Sequence, residues 1–232
     1  CRMSTNFQAV PIAKNVYWVG AIDWGLPDFH GYQTGRGSTY NAYLIVDEKI
    51  TLVDTVKAAF MDEMLARVAS VVPPGDVDTI ISNHSEMDHS GGLPRAIEVI
   101  KPEKVFASVM GQKNLAAHFG DLGVTAVKDG ETLSLGARKI QFFETRMLHW
   151  PDSMMSYLLP DKILFSQDGF GMHLASGARF ADELDPCVVD FEAAKYYANI
   201  LLPFSPLVLK LLERVTSAGL EFRSEEHTSE LQ

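Results

Sequence analysis

Apolar and aromatic residues fall in short runs of strand character along most of the chain, interrupted by stretches with helical spacing. Residues 16–20 (VYWVG) and 40–46 (YNAYLIV) are rich in aromatic and β-branched side chains and predict strands. Asp47-Glu48-Lys49 predicts a tight turn into a third strand over 50–54 (ITLVD), which makes a hairpin. Over 57–72, Phe60, Met64, Leu65, Val68 and Val71 recur at helical spacing, and Pro73-Pro74-Gly75 stops that helix. Residues 79–82 (TIIS) predict a short buried strand. Residues 91–100 start loosely and become a helix, ended by Lys101-Pro102. A strand over 104–107 and a helix over 109–119 follow. Further strands are predicted at 124–127, 139–145, 156–159 and 163–166, with Asp129-Gly130 and Asp161-Lys162 as turn signals. Helices over 190–202 and 206–217 are separated by Pro203. This alternation, with hairpins among it, predicts an α/β (α+β) fold of mixed sheets covered by helices.

Composition narrows the function classes. Of the 232 residues, 47% are hydrophobic and 22% charged, which excludes disorder as the main state. With 20 Lys and Arg against 30 Asp and Glu the net charge is −10, and no Lys/Arg-dense run is present, so neither nucleic acid nor an anionic membrane surface is an expected partner. No run of about 18 apolar residues predicts a transmembrane helix. The opening CRMSTNFQAV has no signal-peptide pattern. Cys1 and Cys187 alone cannot make a disulfide framework or a cysteine metal cluster, and they fit a reducing cytoplasm. The chain does not begin at Met and reads as a fragment. Its last ten residues, 223–232 (RSEEHTSELQ), break from the apolar pattern and read as a non-native tail. The expected unit is therefore one domain over 1–222, incomplete at its C-terminus, with His227 set aside as a ligand.

The candidate chemistry sits at strand ends. Directly after TIIS comes Asn83-His84-Ser85-Glu86-Met87-Asp88-His89-Ser90-Gly91-Gly92, an H-x-E-x-D-H spacing. In an extended loop, residues 84, 86 and 88 point one way and 89 turns back, so four donors converge on one region. One metal cannot easily use all four from so short a loop. Two adjacent metals can, with His84 and Glu86 on one and Asp88 and His89 on the other. A solvated polar loop is the bland alternative, and the clustering after a buried strand argues against it. His149, just after the strand over 139–145, and Asp168, at the end of 163–166, add two candidate ligands. The carboxylate of Asp168 has two oxygens with which to bridge two metals, although an Asp-Gly turn accounts for it equally well on local grounds.

This pattern resembles the metallo-β-lactamase fold as used by flavodiiron proteins, also called A-type flavoproteins, which reduce dioxygen or nitric oxide. The resemblance spans about residues 10–222 and rests on AIDWGLPDFHGY, GSTYNAYLIVDEKITLVDTVK, ISNHSEMDHSGGLP, LHWPDSMMSYL, LFSQDGFGMH and YYANILLPFSP. It implies an αββα sandwich with two irons at one sheet edge. His84, Glu86 and His149 would hold one iron, Asp88 and His89 the other, and Asp168 would bridge them, although His89 is not a direct ligand in every member. The family supplies a further His from beyond the end of this chain, and a C-terminal flavodoxin-like domain holding FMN. Its members form head-to-tail homodimers, with rubredoxin or a similar carrier as electron donor. Glu86 stands where zinc hydrolases of this fold, with H-x-H-x-D-H, carry a His. An added anionic oxygen donor suits a metal that cycles between two and three positive charges, which zinc does not. A dizinc hydrolase and a non-catalytic binding domain are the competing readings.

Other residues are weaker candidates. His30, His173 and Tyr197 are possible pocket residues beside the reaction, with ordinary packed or exposed side chains as the alternative. Trp150, placed at the cofactor, would form an apolar wall with Phe170 and Met172. Glu144 and Asp152 are candidate acceptors for the ligand imidazoles, and His118 is expected on the surface.

Overall fold

In the computed structural model, residues 7–217 are described; the expected tail at 223–232 and His227 lie outside them. The chain runs β1 (Val10–Ala13), β2 (Val16–Trp18), β3 (Ala21–Asp23), β4 (Asp28–Phe29), β5 (Tyr32–Gln33), β6 (Ser38–Tyr40), β7 (Tyr43–Ile45), β8 (Thr51–Val53), α1 (Met61–Ala69) and β9 (Thr79–Ser82). It continues through α2 (Met87–Ser90), α3 (Leu93–Ile100), β10 (Lys104–Ser108), α4 (Val109–Phe119), β11 (Val124–Val127), β12 (Thr132–Ser134), β13 (Lys139–Glu144), β14 (Met154–Leu159), β15 (Ile163–Phe165), α5 (Pro186–Tyr196) and α6 (Ser205–Ser217).

A seven-stranded sheet, ordered β1-β2-β7-β8-β9-β10-β11, faces a four-stranded sheet, ordered β12-β13-β14-β15. The first is antiparallel through β8 and parallel from β8 to β11; the second is antiparallel throughout. Side chains alternate across each strand, and this sorts the core into layers. Leu44, Leu52, Ile80 and Val105 face outward and pack under α1, α3 and α4. Their neighbours Tyr43, Ile45, Val53 and Ile81 face inward and meet Ile140, Phe142, Leu158 and Phe165 of the second sheet. On that sheet's outer face, Phe143, Met155, Tyr157 and Leu164 are covered by α6 through Leu207, Val208 and Leu211. The result is the expected αββα sandwich. The TIIS strand is buried along its whole length because helices cover one face and the other sheet covers the second.

Three local expectations are corrected. The single strand predicted over 40–46 is two strands, β6 paired with β3 and β7 paired with β2 and β8. The break falls at Asn41, whose side-chain oxygen accepts the Trp18 indole N–H at 2.8 Å. The helix predicted over 190–202 begins earlier, at Pro186, where Asp185 caps it by accepting the Cys187 N–H. It ends in a widened turn over Tyr197–Leu201. The loop after β9 is extended only as far as Glu86, and Met87–Ser90 form one helical turn. β1, β3, β4, β5 and β12, each two to four residues long, are not among the predicted strands, since their local pattern is too slight.

The rim where β8 and β9 end is tied to the second sheet through Asn83. Asp54 accepts both the Asn83 backbone N–H, at 2.6 Å, and its side-chain amide, at 3.1 Å. The Asn83 side-chain oxygen accepts from the Ser156 hydroxyl at 2.6 Å, and its carbonyl accepts from the Met154 N–H at 3.0 Å. Burial pushes the Asp54 carboxyl up to about 6, against the pull of His89 and the Asn83 donors. Replacing Asp54 with Ala strands two buried donors and is expected to lower the unfolding free energy by about 1.5–3 kcal/mol, measured by denaturant unfolding of the metal-free protein.

Candidate metal centre

The six ligands predicted from sequence meet at one rim of the two sheets. β9 delivers His84 and Glu86, and α2 turns the chain so that Asp88 and His89 come round to the same region. The second sheet contributes from two C-terminal strand ends, with His149 after β13 and Asp168 after β15. All are buried or nearly so: His84 and Asp168 are 1% exposed, and the Glu86 side chain is 12% exposed.

Asp168 lies between two groups of donors. Its Oδ2 is 2.9 Å from His149 Nε2 and 3.3 Å from His84 Nε2. Glu86 Oε2 is 3.3 Å from each of the same two nitrogens. The ligand atoms of His84, Glu86, His149 and Asp168 all lie within 4.8 Å of one another. The other Asp168 oxygen, Oδ1, is 3.0 Å from His89 Nε2, and Asp88 Oδ2 is 3.8 Å from that nitrogen. Asp88 Oδ1 is buried and has no hydrogen-bond partner. An orphaned buried carboxylate oxygen, beside imidazoles crowded onto shared carboxylates, is the environment that bound cations would complete. The donor set, three imidazoles and three carboxylates, fits a pair of divalent or trivalent cations sharing Asp168.

The layer around these donors is ordered. Asp152 Oδ2 accepts from His84 Nδ1 at 3.1 Å and from the Ser85 N–H at 2.6 Å, which aims His84 Nε2 into the cluster. Glu144, the other predicted acceptor, instead pairs with Arg146 at 2.8 Å. His30 lies at the tip of the β4–β5 hairpin, where His30 and Gly31 both take positive φ (53° and 81°), the arrangement of a two-residue type I′ turn. The hairpin lowers His30 Nε2 to 2.8 Å from Glu86 Oε1, and His30 Nδ1 is 3.2 Å from His173 Nε2. The Trp150 ring stands edge-on to His84, with centroids 5.3 Å apart. Met172 is buried, whereas Phe170 is 40% exposed. His118 is exposed on α4.

Tyr197 lines the apolar cleft beside the donors and does not reach them. It is 36% exposed and its hydroxyl donates to Ser205. Its neighbour Tyr196 is 1% exposed and packs 5.5 Å from the His173 ring, with a hydroxyl that has no hydrogen-bond partner. The one-residue difference follows from the phase of α5, which starts four residues before the predicted position. An apolar cleft of about 470 Å³ flanks the site, lined in part by Phe170, Met172 and Tyr196.

Electrostatics follow from this crowding. Burial opposes charge on His89, but Asp168 and Asp88 outweigh it and raise its pKa to about 9. His149 is likewise raised to about 9, against burial, by Asp168 and Glu86. His84 rises well above the usual imidazole value through Asp152, Asp168 and Glu86. Burial pushes the Asp168 carboxyl up, yet the surrounding imidazoles hold it well below the ordinary carboxylate range. Asp88 is raised, chiefly by burial.

Three outcomes follow. In the metal-free protein the imidazoles carry protons at pH 7, so metal loading is expected to release at least two protons. The buffer dependence of the calorimetric binding enthalpy measures this, and the release should vanish above about pH 9. The same raised values stabilise the metal-free fold fully below pH 6.5, a contribution lost as pH rises through 9. Asp152→Ala is expected to weaken metal affinity about 10–100-fold in chelator competition, with the fold retained.

The family model described as "ODP family beta lactamase" matches residues 39–219. The rubredoxin-oxygen oxidoreductase of Megalodesulfovibrio gigas is 48% identical over 225 residues, covering 95% of this chain and 56% of the relative. The nitric oxide reductase of Moorella thermoacetica is 43% identical, covering 94% of this chain and 55% of the relative. The solved rubredoxin oxygen:oxidoreductase from Desulfovibrio gigas superposes with a TM-score of 0.90 at 48% identity, over 93% of this chain and 54% of that one. The flavodiiron protein of Giardia intestinalis superposes with a TM-score of 0.88 at 39% identity, over 93% of this chain and 53% of that one. The chain thus spans about half the length of these relatives, and it belongs to the ODP family of beta-lactamase-like domains, the metallo-β-lactamase-like domain of flavodiiron proteins.

Proposed function

We propose that this domain is the dimetal half of a reductase that converts O₂ to water, NO to N₂O, or both, with two irons held by His84, Glu86, Asp88, His89, His149 and Asp168. One observation carries the reading: Asp168 turns one oxygen toward His84 and His149, which Glu86 shares, and the other toward His89, beside which Asp88 lies. The names of the relatives at 43–48% identity, an oxygen oxidoreductase and a nitric oxide reductase, support the same class of reaction. The metal-binding domain would continue beyond residue 222 to supply a seventh ligand His, and a flavodoxin-like FMN domain would follow it. Rubredoxin or a similar carrier would supply electrons to the FMN, and a head-to-tail homodimer in the cytoplasm would bring one subunit's flavin to its partner's irons. Among the described residues no helix is long and apolar enough to cross a membrane.

Two irons held by these residues would supply the electrons for reducing NO or O₂. Reduction of two NO to N₂O and water takes two electrons and two protons; O₂ to two waters takes four of each. The protein's own groups arrange this. Asp152 orients the His84 ring, and His30 Nε2 meets Glu86 Oε1 at 2.8 Å. Trp150, the buried Met172 and the apolar lining of the cleft suit a small neutral gas better than a charged substrate.

Metal analysis and gas consumption test this on the chain joined to an FMN-bearing flavodoxin-like half. The expected result is two irons with NO or O₂ consumption, lost by more than about 100-fold in Asp168→Ala, beyond the usual range for residues one layer out. Two equivalents of zinc, ester hydrolysis and no gas consumption would overturn it. The isolated chain with reduced rubredoxin alone is expected to show negligible turnover.

A further inference from the structure

The Glu86 oxygen that faces away from the imidazoles begins a line of hydrogen bonds running into the interior. Glu86 Oε1 meets His30 Nε2 at 2.8 Å, His30 Nδ1 meets His173 Nε2 at 3.2 Å, and His173 Nδ1 meets Ser38 Oγ at 3.0 Å. The four residues come from four different parts of the fold: the β9–α2 junction, the β4–β5 hairpin, the segment after β15 and strand β6. Ser38 is 1% exposed and His173 is 2% exposed.

Proton bookkeeping gives the line a direction. Among the described residues, His173 Nδ1 is the single recorded partner of the Ser38 hydroxyl. If that hydroxyl accepted a proton from His173, its own O–H would be buried with nowhere to go, which is costly. It therefore donates to Nδ1. A neutral imidazole carries one N–H, so His173 is left with its proton on Nε2 and donates to His30 Nδ1. His30 then carries its proton on Nε2 and donates to the carboxylate of Glu86. Burial holds the His173 pKa down at about 3, with help from nearby His30, which keeps that ring neutral.

We infer that Ser38 is a positioning residue for the metal centre: its hydroxyl fixes the tautomer of His173 and, through His30, the donor that orients the Glu86 carboxylate. The consequence for metal retention rests on Glu86 being a ligand; the tautomer assignment does not, and neither depends on which gas is reduced. The segment carrying His173 stays in place without the hydroxyl, because Thr39 Oγ1 donates to the Leu174 carbonyl at 2.8 Å and the Ala175 N–H donates to the Arg36 carbonyl at 2.8 Å.

The test is histidine-ring ¹⁵N NMR of the full chain loaded with diamagnetic zinc, for the wild-type sequence, Ser38→Ala and Ser38→Thr, together with the rate of zinc loss to a chelator. The expected wild-type result is a proton on Nε2 of both His173 and His30. In Ser38→Ala the His173 Nδ1–H tautomer should appear, and zinc loss should speed up a few-fold, less than the roughly 10–100-fold typical of groups that touch a ligand directly. Ser38→Thr, which keeps the hydroxyl, should restore both. A proton on His173 Nδ1 in the wild-type protein would overturn the inference without touching the reductase reading, and that measurement needs no variant. Ring signals and zinc loss in Ser38→Ala identical to wild type would overturn it as well.

Discussion

A fully buried carboxylate shared among three imidazoles is the constraint around which this domain is built. Asp168 is 1% exposed, and an isolated anion at such a site would be prohibitively costly. His84, His89 and His149 stand within 3.3 Å of its oxygens and make its charge tolerable. They come from opposite sheets, so the arrangement exists only when both sheets are formed and packed face to face. The layered core supplies that packing, and the Asp54–Asn83–Ser156 links hold the rim where the donors emerge.

The surrounding polar layer is organised by the same need. Several segments around the donors are anchored through groups that are themselves fixed: Asp152 by the Ser85 N–H, Asn83 by Asp54, His173 by Ser38 of β6. In a low-dielectric interior, such chains leave few alternative arrangements, because any reversal strands a buried donor or acceptor. Rigidity here comes from hydrogen-bond accounting as much as from apolar packing.

Much of this was legible in the amino-acid sequence, and the remainder was hidden for physical reasons. Strands of both sheets, the helices over α1, α3 and α4, and the H-x-E-x-D-H cluster carry strong local signals of periodicity and spacing. The convergence of His149 and Asp168 on that cluster is a tertiary fact; their places just after strands make them candidates, and the family resemblance gives each a definite place. The helical turn at Met87–Ser90 was missed because four residues are too few to show a period. Tyr196 was missed in favour of Tyr197 because one residue of helix phase decides which side chain turns inward, and Pro186 with its Asp185 cap, the usual start signal, went unread. Ser38 carried no signal at all, since a serine in a strand is unremarkable until its buried neighbour is known.

The division of ligands between the sheets has a further bearing. His84, Glu86, Asp88 and His89 ride on one slab, His149 and Asp168 on the other, and the slabs are spaced by the side chains of Ile81, Phe142 and Phe165. The interlayer filling thereby acts as a shim beneath the cluster of donors. Substitutions deep in the hydrocarbon interior, far from any donor atom, can widen or narrow the gap across which the two halves of the cluster must meet, so its geometry can be tuned with every donor left unchanged.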